Sequence, residues 1–203
     1  VGWGATSFNE VPNYNNDNRL WGGYEFRYPK ADQFTDWENV YELTDFGVNA
    51  SNTELADNIF TYFHQANYID YFIFLNFIRA DDNTGKNIFL SKYKMGEPYF
   101  FVPWDLDGVL GTTWEGTNNP SFDFIIGNNL HGRVIDLNAG NFASTVEDRW
   151  TDLREEILNA DVWEDRIADL YQYLMVNKIY EREAIVFPNY EFDQQDLEYL
   201  QNW

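Results

Sequence analysis

Nine of the eleven residues from Tyr68 to Ile78 are aliphatic or aromatic, broken only by Asp70 and Asn76. A run this short falls well below the roughly 18 residues that a membrane crossing needs. As a helix it is apolar on every side, so it must lie at the centre of a core rather than on a surface. A buried strand pair is the competing reading, and polar capping residues on either flank favour the helix. Ser51-Asn52-Thr53-Glu54 spells a capping box ahead of a preceding helix with Leu55, Ile59 and Phe63 on one side. Asn67-Tyr68-Ile69-Asp70 is read as a second, similar cap that restarts the chain into the apolar run.

A core of that kind needs a globular chain around it. The 203 residues are 44% hydrophobic and 19% aromatic, enough to bury a sizeable interior without staples. There is no cysteine, so disulfides, thiolate metal sites and thiol nucleophiles are excluded together, and two histidines make a multi-histidine metal site improbable. Thirteen basic residues face 34 acidic ones, a net charge of −21. Nucleic-acid binding requires a cationic surface to replace counterions, and an anionic bilayer surface repels such a chain, so neither is an expected partner. No apolar run is long enough to span a membrane, and membrane insertion by this chain is not expected.

Around the apolar run the pattern is mixed. Tyr24 to Pro29 alternates aromatic and charged residues as a half-buried strand does, and Asp36 to Leu43 predicts a short helix with Trp37, Val40 and Tyr41 on one face. Arg79 to Asn87 is a polar loop. Ile88–Tyr93 and Tyr99–Val102 predict two strands of a hairpin through Lys94 to Pro98. Residues 114 to 143, rich in Asn and Gly, are expected to be irregular. Two amphipathic stripes follow: Val146, Trp150, Leu153, Ile157 and Leu158, then Trp163, Ile167, Leu170, Tyr171 and Leu174, the second capped by Asp161 with Glu164. Fifteen acidic and five basic residues lie between Glu147 and Trp203, read as solvated helix faces. The expected fold is α+β and mostly helical, one domain over residues 1–203.

The chemistry concentrates in residues 79–111. The buried helix delivers a loop in which Asp82 and Asn87 are five residues apart, and the hairpin returns the chain to Asp105 and Asp107. Carboxylate and amide oxygens are hard ligands suited to Mg²⁺ or Mn²⁺, which in turn hold nucleotide phosphates, and a further carboxylate can accept a proton from an attacking hydroxyl. Protein kinases use the same order: a loop Asp, a metal-binding Asn at +5, a hairpin, then a metal-binding Asp beside a glycine. The D-x4-N spacing alone is weak; its combination with Asp105-Leu106-Asp107-Gly108 is more specific.

Asp82 to Asn87, the Ile88–Tyr93 strand and above all Pro103-Trp104-Asp105-Leu106-Asp107 resemble the CotH kinase family, the spore-coat-protein-H-like atypical kinases. Tyr24–Pro29 with Trp37, Asn67 to Phe72, Arg149-Trp150-x-x-Leu153-Arg154 and Tyr180-x-Arg182-Glu183 extend the likeness over about residues 20–190. The resemblance implies the carboxy-terminal lobe of a kinase-like domain that transfers the γ-phosphoryl of ATP to a protein hydroxyl with Mg²⁺ or Mn²⁺. It implies Asp82 as the catalytic base, with Asp81 as its competitor, and Asn87 and Asp105 as metal ligands, with Asp107 a second ligand or support. Tyr99 would stack on the adenine. The family's setting implies a spore-coat, secreted or cell-surface location, and the acidic surface suggests a basic protein substrate.

Two departures stand against this. Gly2-Trp3-Gly4-Ala5-Thr6-Ser7 lacks the last glycine of a nucleotide cover, and no strand lysine precedes residue 80. The expectation is a partial domain whose amino-terminal lobe is absent, weak or inactive alone. Asp81 to Gly85 also reads as a plain turn or a calcium loop, with about even odds until Asp105 and Asp107 tip the balance. Trp104 reads as a core anchor, Asp105 and Asp107 as possible helix caps, and His64 and His131 as structural. Abundant Trp and Tyr with a calcium loop would also describe a carbohydrate-binding or carbohydrate-active module, although its usual β-sandwich fits poorly with five or so helical segments.

Overall fold

The computed structural model describes residues 4–121, 123–189 and 193–203. They form α1 (Glu38–Asn49), α2 (Asn52–Tyr62), α3 (Gln65–Ile78), α4 (Asn129–Asp136), α5 (Phe142–Glu156), α6 (Ala160–Val176), α7 (Ile179–Val186) and α8 (Gln194–Asn202). Two antiparallel hairpins accompany them, β1 (Leu20–Trp21) with β2 (Tyr24–Glu25), and β3 (Ile88–Ser91) with β4 (Phe100–Pro103). The architecture is α+β and predominantly helical.

The apolar run is the central helix. In α3, Tyr68, Ile69, Tyr71, Phe72, Ile73, Leu75 and Ile78 are all buried. Its start lies three residues earlier than the capping pattern indicates: His64 is the N-cap and makes no side-chain cap bond. Asn67 falls inside the first turn because it has another use. Its amide donates to the Phe101 carbonyl (3.1 Å) and its Oδ1 accepts from the Phe101 N–H (2.7 Å), so it imitates a paired peptide and docks β4 against the helix. Asn76, near the other end, does the same with both backbone groups of Ile126 (2.8 and 3.0 Å).

The Ser51 half of the expected box forms, its Oγ accepting from the Glu54 N–H at 3.2 Å, and α2 buries Leu55 and Ile59. Trp37 is the N-cap residue of α1, which runs on to Asn49. Trp37, Val40 and Tyr41 share a cluster with Trp21, Phe26 and Phe34. Both indoles at its centre donate to carbonyls, Trp21 to Asn13 and Trp37 to Asn18, each at 3.0 Å, so burying them strands no polar group. Of the stretch Tyr24 to Pro29 only Tyr24 and Glu25 pair as a strand.

Residues 114–143 depart from the expected irregularity from Asn129 onward, where α4 forms. Asn128 and His131 make a reciprocal capping box over α4: Asn128 Oδ1 accepts from the His131 N–H (3.0 Å), and His131 Nδ1 accepts from the Asn128 N–H (3.2 Å). Leu130 and Val134, four apart, face the core from it. A box closed by His instead of Glu or Gln hides this helix from pattern reading. Arg133 then donates to the carbonyls of Gly47 (2.8 Å) and Ala50 (2.5 Å) at the end of α1, where a cation complements the helix dipole.

Contacts divide the chain into two units, ending and beginning at Val146 and Glu147, within α5. In the second unit α6 is capped by Asn159, which accepts from the Asp161 N–H at 2.9 Å, not by Asp161 itself. The expected stripe is present, but α6 buries none of it; Ile167, Leu170, Tyr171 and Leu174 line a groove of about 250 Å³ completed by Tyr180 and α8 residues. Among the described residues no helix is long and apolar enough to cross a membrane.

Candidate functional site

The site is assembled where α3 ends. Arg79 takes a left-handed conformation (φ 59°) that stops the helix, and a 3₁₀ turn, Asp81–Thr84, follows. Asn87 is also left-handed (φ 53°), and the chain then enters β3. The hairpin pairs Ile88 with Pro103 and Ser91 with Phe100, so its open end brings Asn87 opposite Trp104. The Trp104 N–H donates to the Asn87 carbonyl at 2.9 Å, extending the ladder by one bond. Asp105 comes next, left-handed at φ 55°. Asn and Asp are the side chains that tolerate this region best, which suits both positions.

One residue holds this end together, and it is not among those singled out from the pattern. Asn83 is 1% exposed, and its Nδ2 donates to the Asn87 carbonyl (2.6 Å) and the Trp104 carbonyl (2.8 Å). Its own carbonyl accepts from the Tyr71 hydroxyl of the core helix at 2.7 Å. Asn128 Nδ2 donates to the Thr84 carbonyl (2.8 Å), tying the same turn to the start of α4. Asn83 lies in an Asp-Asp-Asn-Thr-Gly string that looks like any polar turn; only its alignment with two strand ends distant in sequence gives it away.

The proposed ligands and base fall around this clamp. Asp82 pairs with Lys86 at 2.7 Å across one turn. Asp81, one residue earlier, lines a separate small pocket with Arg79 and Thr112. The Asn87 amide and the Asp105 and Asp107 carboxylates are engaged by no side chain or backbone group among the described residues. Among the described residues no helix starts after Asp105 or Asp107 until α4, so neither serves as a helix cap. Gly108 is required by contact: a Cβ there would lie 2.8 Å from the Trp114 backbone nitrogen. Trp104 is 61% exposed and meets Phe89 edge-on (5.7 Å), which corrects the expectation of a core anchor: the alternation that buries Phe101 turns Trp104 outward.

Tyr99 is placed differently from an open platform. It is 6% exposed, bridged to the end of α2 through Tyr62 and His64, and the Lys92 ammonium lies 4.0 Å over its ring. Burial pushes the Tyr99 hydroxyl up and the Lys92 ammonium down from their ordinary values. A base could stack there only after Lys92 moved aside.

Metal fit can be judged from the donor set. No three His, Asp or Glu side chains converge as a metal cage among the described residues. The oxygens offered are one amide and one or two carboxylates, which is what Mg²⁺ takes from a protein when nucleotide phosphates complete its shell. The residues fit a shared metal, not a private one.

His131, structural as expected, is buried against Tyr68, Phe72 and Phe101, and burial pushes its pKa down to about 4. Between pH 6.5 and about 4 the unfolded chain binds the proton and the folded one does not, so stability is complete above 6.5 and falls as pH drops through that window. The loss should approach about 3 kcal/mol in denaturant titrations at pH 4 against pH 7. His131→Gln, which keeps a capping-box partner at N3, should flatten that slope; an unchanged slope would place the titration elsewhere.

Residues 8–203 match the family described as CotH kinase protein. No curated protein matches the chain.

Proposed function

The chain belongs to the CotH kinase family, and on that footing we propose that it is an atypical kinase-like domain that transfers the γ-phosphoryl of ATP to a protein hydroxyl. The observation that supports this reading is the Asn83 clamp, which holds the Asn87 carbonyl and the Trp104 carbonyl, one residue before Asp105, from within the turn that bears Asp82. In this reading Asp82 orients the acceptor hydroxyl and takes its proton, and Lys86 holds the carboxylate in place. Asn87 and Asp105 hold the divalent metal, with Asp107 as a further ligand or support. When bound, Mg²⁺ or Mn²⁺ supplies neutralisation of the phosphate charge.

Tyr99 with Lys92 would form one wall of the nucleotide site. The glycine-rich cover and phosphate lysine are proposed to come from outside this lobe, so that these 203 residues act as part of a larger domain. A basic protein substrate suits a chain of net charge −21, and a spore-coat or cell-surface setting is proposed on family grounds.

Calorimetric titration of MgATP or MnATP into the chain tests the metal assignment. Asp105→Ala should weaken metal-dependent binding by about 10- to 100-fold, the range seen when a metal site loses a supporting group. Asp105→Asn, better suited to the left-handed backbone, checks that any loss is chemical and not conformational. Equal binding by all three chains would remove Asp105 from the site. Binding of Ca²⁺ without nucleotide would favour the structural-loop, carbohydrate-binding alternative.

A further inference from the structure

The second unit carries an apolar stripe that its own helices leave uncovered. Helix α6 places Ile167, Leu170 and Leu174 along one face, and none of its residues is buried. Leu170 is 59% exposed. Leu197 and Leu200 of α8, three residues apart, line the same groove of about 250 Å³. Apolar surface gathered in a concavity and left open to water marks a place of association.

The charge around the groove says what can associate there. Asp196, in the first turn of α8, is part of the lining and exposed, and no cation engages its carboxylate among the described residues. Glu164 lies one turn before Ile167 on α6. Lys178, just past the end of α6, is paired with Glu181 at 3.3 Å. Across the whole unit fifteen acidic residues face five basic ones, so the field at the groove attracts cations and repels anions. A second copy of this chain would bring a net charge of −21 to that surface and is disfavoured as the occupant.

The shape of the occupant follows from the secondary structure. Beyond Glu147 the described residues form helices and turns, and offer no strand edge to which an extended peptide could add. A segment that docks here must satisfy its own backbone, as a helix does, and present apolar anchors one turn apart. We propose that the α6–α8 groove is the docking site for a basic amphipathic helix of a partner protein. Its apolar side chains seat against Leu170, Leu174, Leu197 and Leu200, and a Lys or Arg beside them meets Asp196. The site uses none of Asp82, Asn87 and Asp105 and does not depend on the transfer activity.

The test uses the whole 203-residue chain with its leucine methyl groups labelled for NMR. Three synthetic peptides of equal length are titrated in. The first repeats Leu at i, i+3, i+4 and i+7 with Lys on the flanks. The second has Glu in place of Lys, and the third is the first with its order scrambled. Saturable binding of the first, at least about tenfold tighter than either other, with shifts at the Leu170, Leu174, Leu197 and Leu200 methyls, supports the site. Asp196→Lys should weaken the basic peptide by about three- to tenfold and strengthen the acidic one. Leu170→Gln, at an exposed position, should weaken the basic peptide by about tenfold. Equal binding of the three peptides overturns the proposal, as does no binding, or shifts confined to methyls outside the groove. Groove methyls that shift on dilution, with a dimer in sedimentation, would give the groove to a second copy and overturn it too. Should a variant fail to fold, the peptide comparison and the methyl map of the wild type decide alone.

Discussion

Asp82→Asn is expected to lower phosphoryl transfer by about 10²- to 10⁴-fold in the intact protein while leaving MgATP affinity nearly unchanged. The amide keeps the size of the carboxylate and can still accept from Lys86, so the ion-pair geometry at 2.7 Å gives way to a hydrogen bond and the turn survives. What disappears is a group able to take the proton of the attacking hydroxyl. The loss should therefore fall on kcat and not on the KM for ATP. Asp81→Asn is the companion measurement. Asp81 lines the Arg79 pocket and not the clamp, so its amide should transfer at close to the wild-type rate. A large loss in Asp81→Asn with little in Asp82→Asn would move the base by one residue, and wild-type rates in both would end the general-base assignment.

Asn83→Ala should be the most destabilising single change near the site. The substitution removes two donations of 2.6 and 2.8 Å from a residue 1% exposed, leaving the Asn87 carbonyl with one partner and the Trp104 carbonyl with none shown. The carbonyl left unpaired costs about 1–3 kcal/mol and the other lost bond about 1 kcal/mol, so a loss of about 2–4 kcal/mol is expected. In a chain this long that corresponds to a fall in Tm on the order of 10 °C. Asn83→Asp keeps the shape and has no donor, so it should be at least as damaging. Thermal denaturation of both variants decides the point: a shift under about 2 °C would mean that the hairpin end is held by the Trp104–Asn87 backbone bond alone. If Asn87 and Asp105 hold the metal as proposed, weakened MgATP binding should accompany the loss of stability even where the variant remains folded, because the clamp fixes the backbone at Asn87 and just before Asp105.

The parts of the molecule that pattern reading reached share one property: they rest on local chemistry. The apolar run favoured a core helix over a buried strand pair, Ser51 read as a cap, and the two aromatic strands around Lys94 to Pro98 read as a hairpin. Asp82, Asn87, Asp105 and Asp107 stood out because spacing and hard-oxygen chemistry are visible along the chain. The residues that organise them were not, because their partners are remote. Asn67, Asn76 and Asn83 bond to backbone 34, 50, and 4 and 21 residues away, and nothing in a single sequence separates such an amide from one that faces water. The helix at Asn129–Asp136 was hidden for a related reason, a cap whose second half is a histidine. Trp104 was misjudged because ring size suggests burial, whereas strand alternation decides it.

The clamp grips carbonyl groups of Asn87 and Trp104, which every amino acid possesses, and touches none of the side chains that would bind metal. The frame is thus held through backbone groups, and the proposed chemistry rests on the side chains of Asn87 and Asp105. A lineage could therefore exchange Asn87 or Asp105 for a residue tolerant of a left-handed backbone and lose catalysis without losing the domain. The surviving protein would be a ready-made binding scaffold. The reverse path is equally short, since two side-chain replacements on an intact frame would restore the ligands. On the proposed assignment, the ligand side chains could change with little consequence for folding, while a change at Asn83 could not.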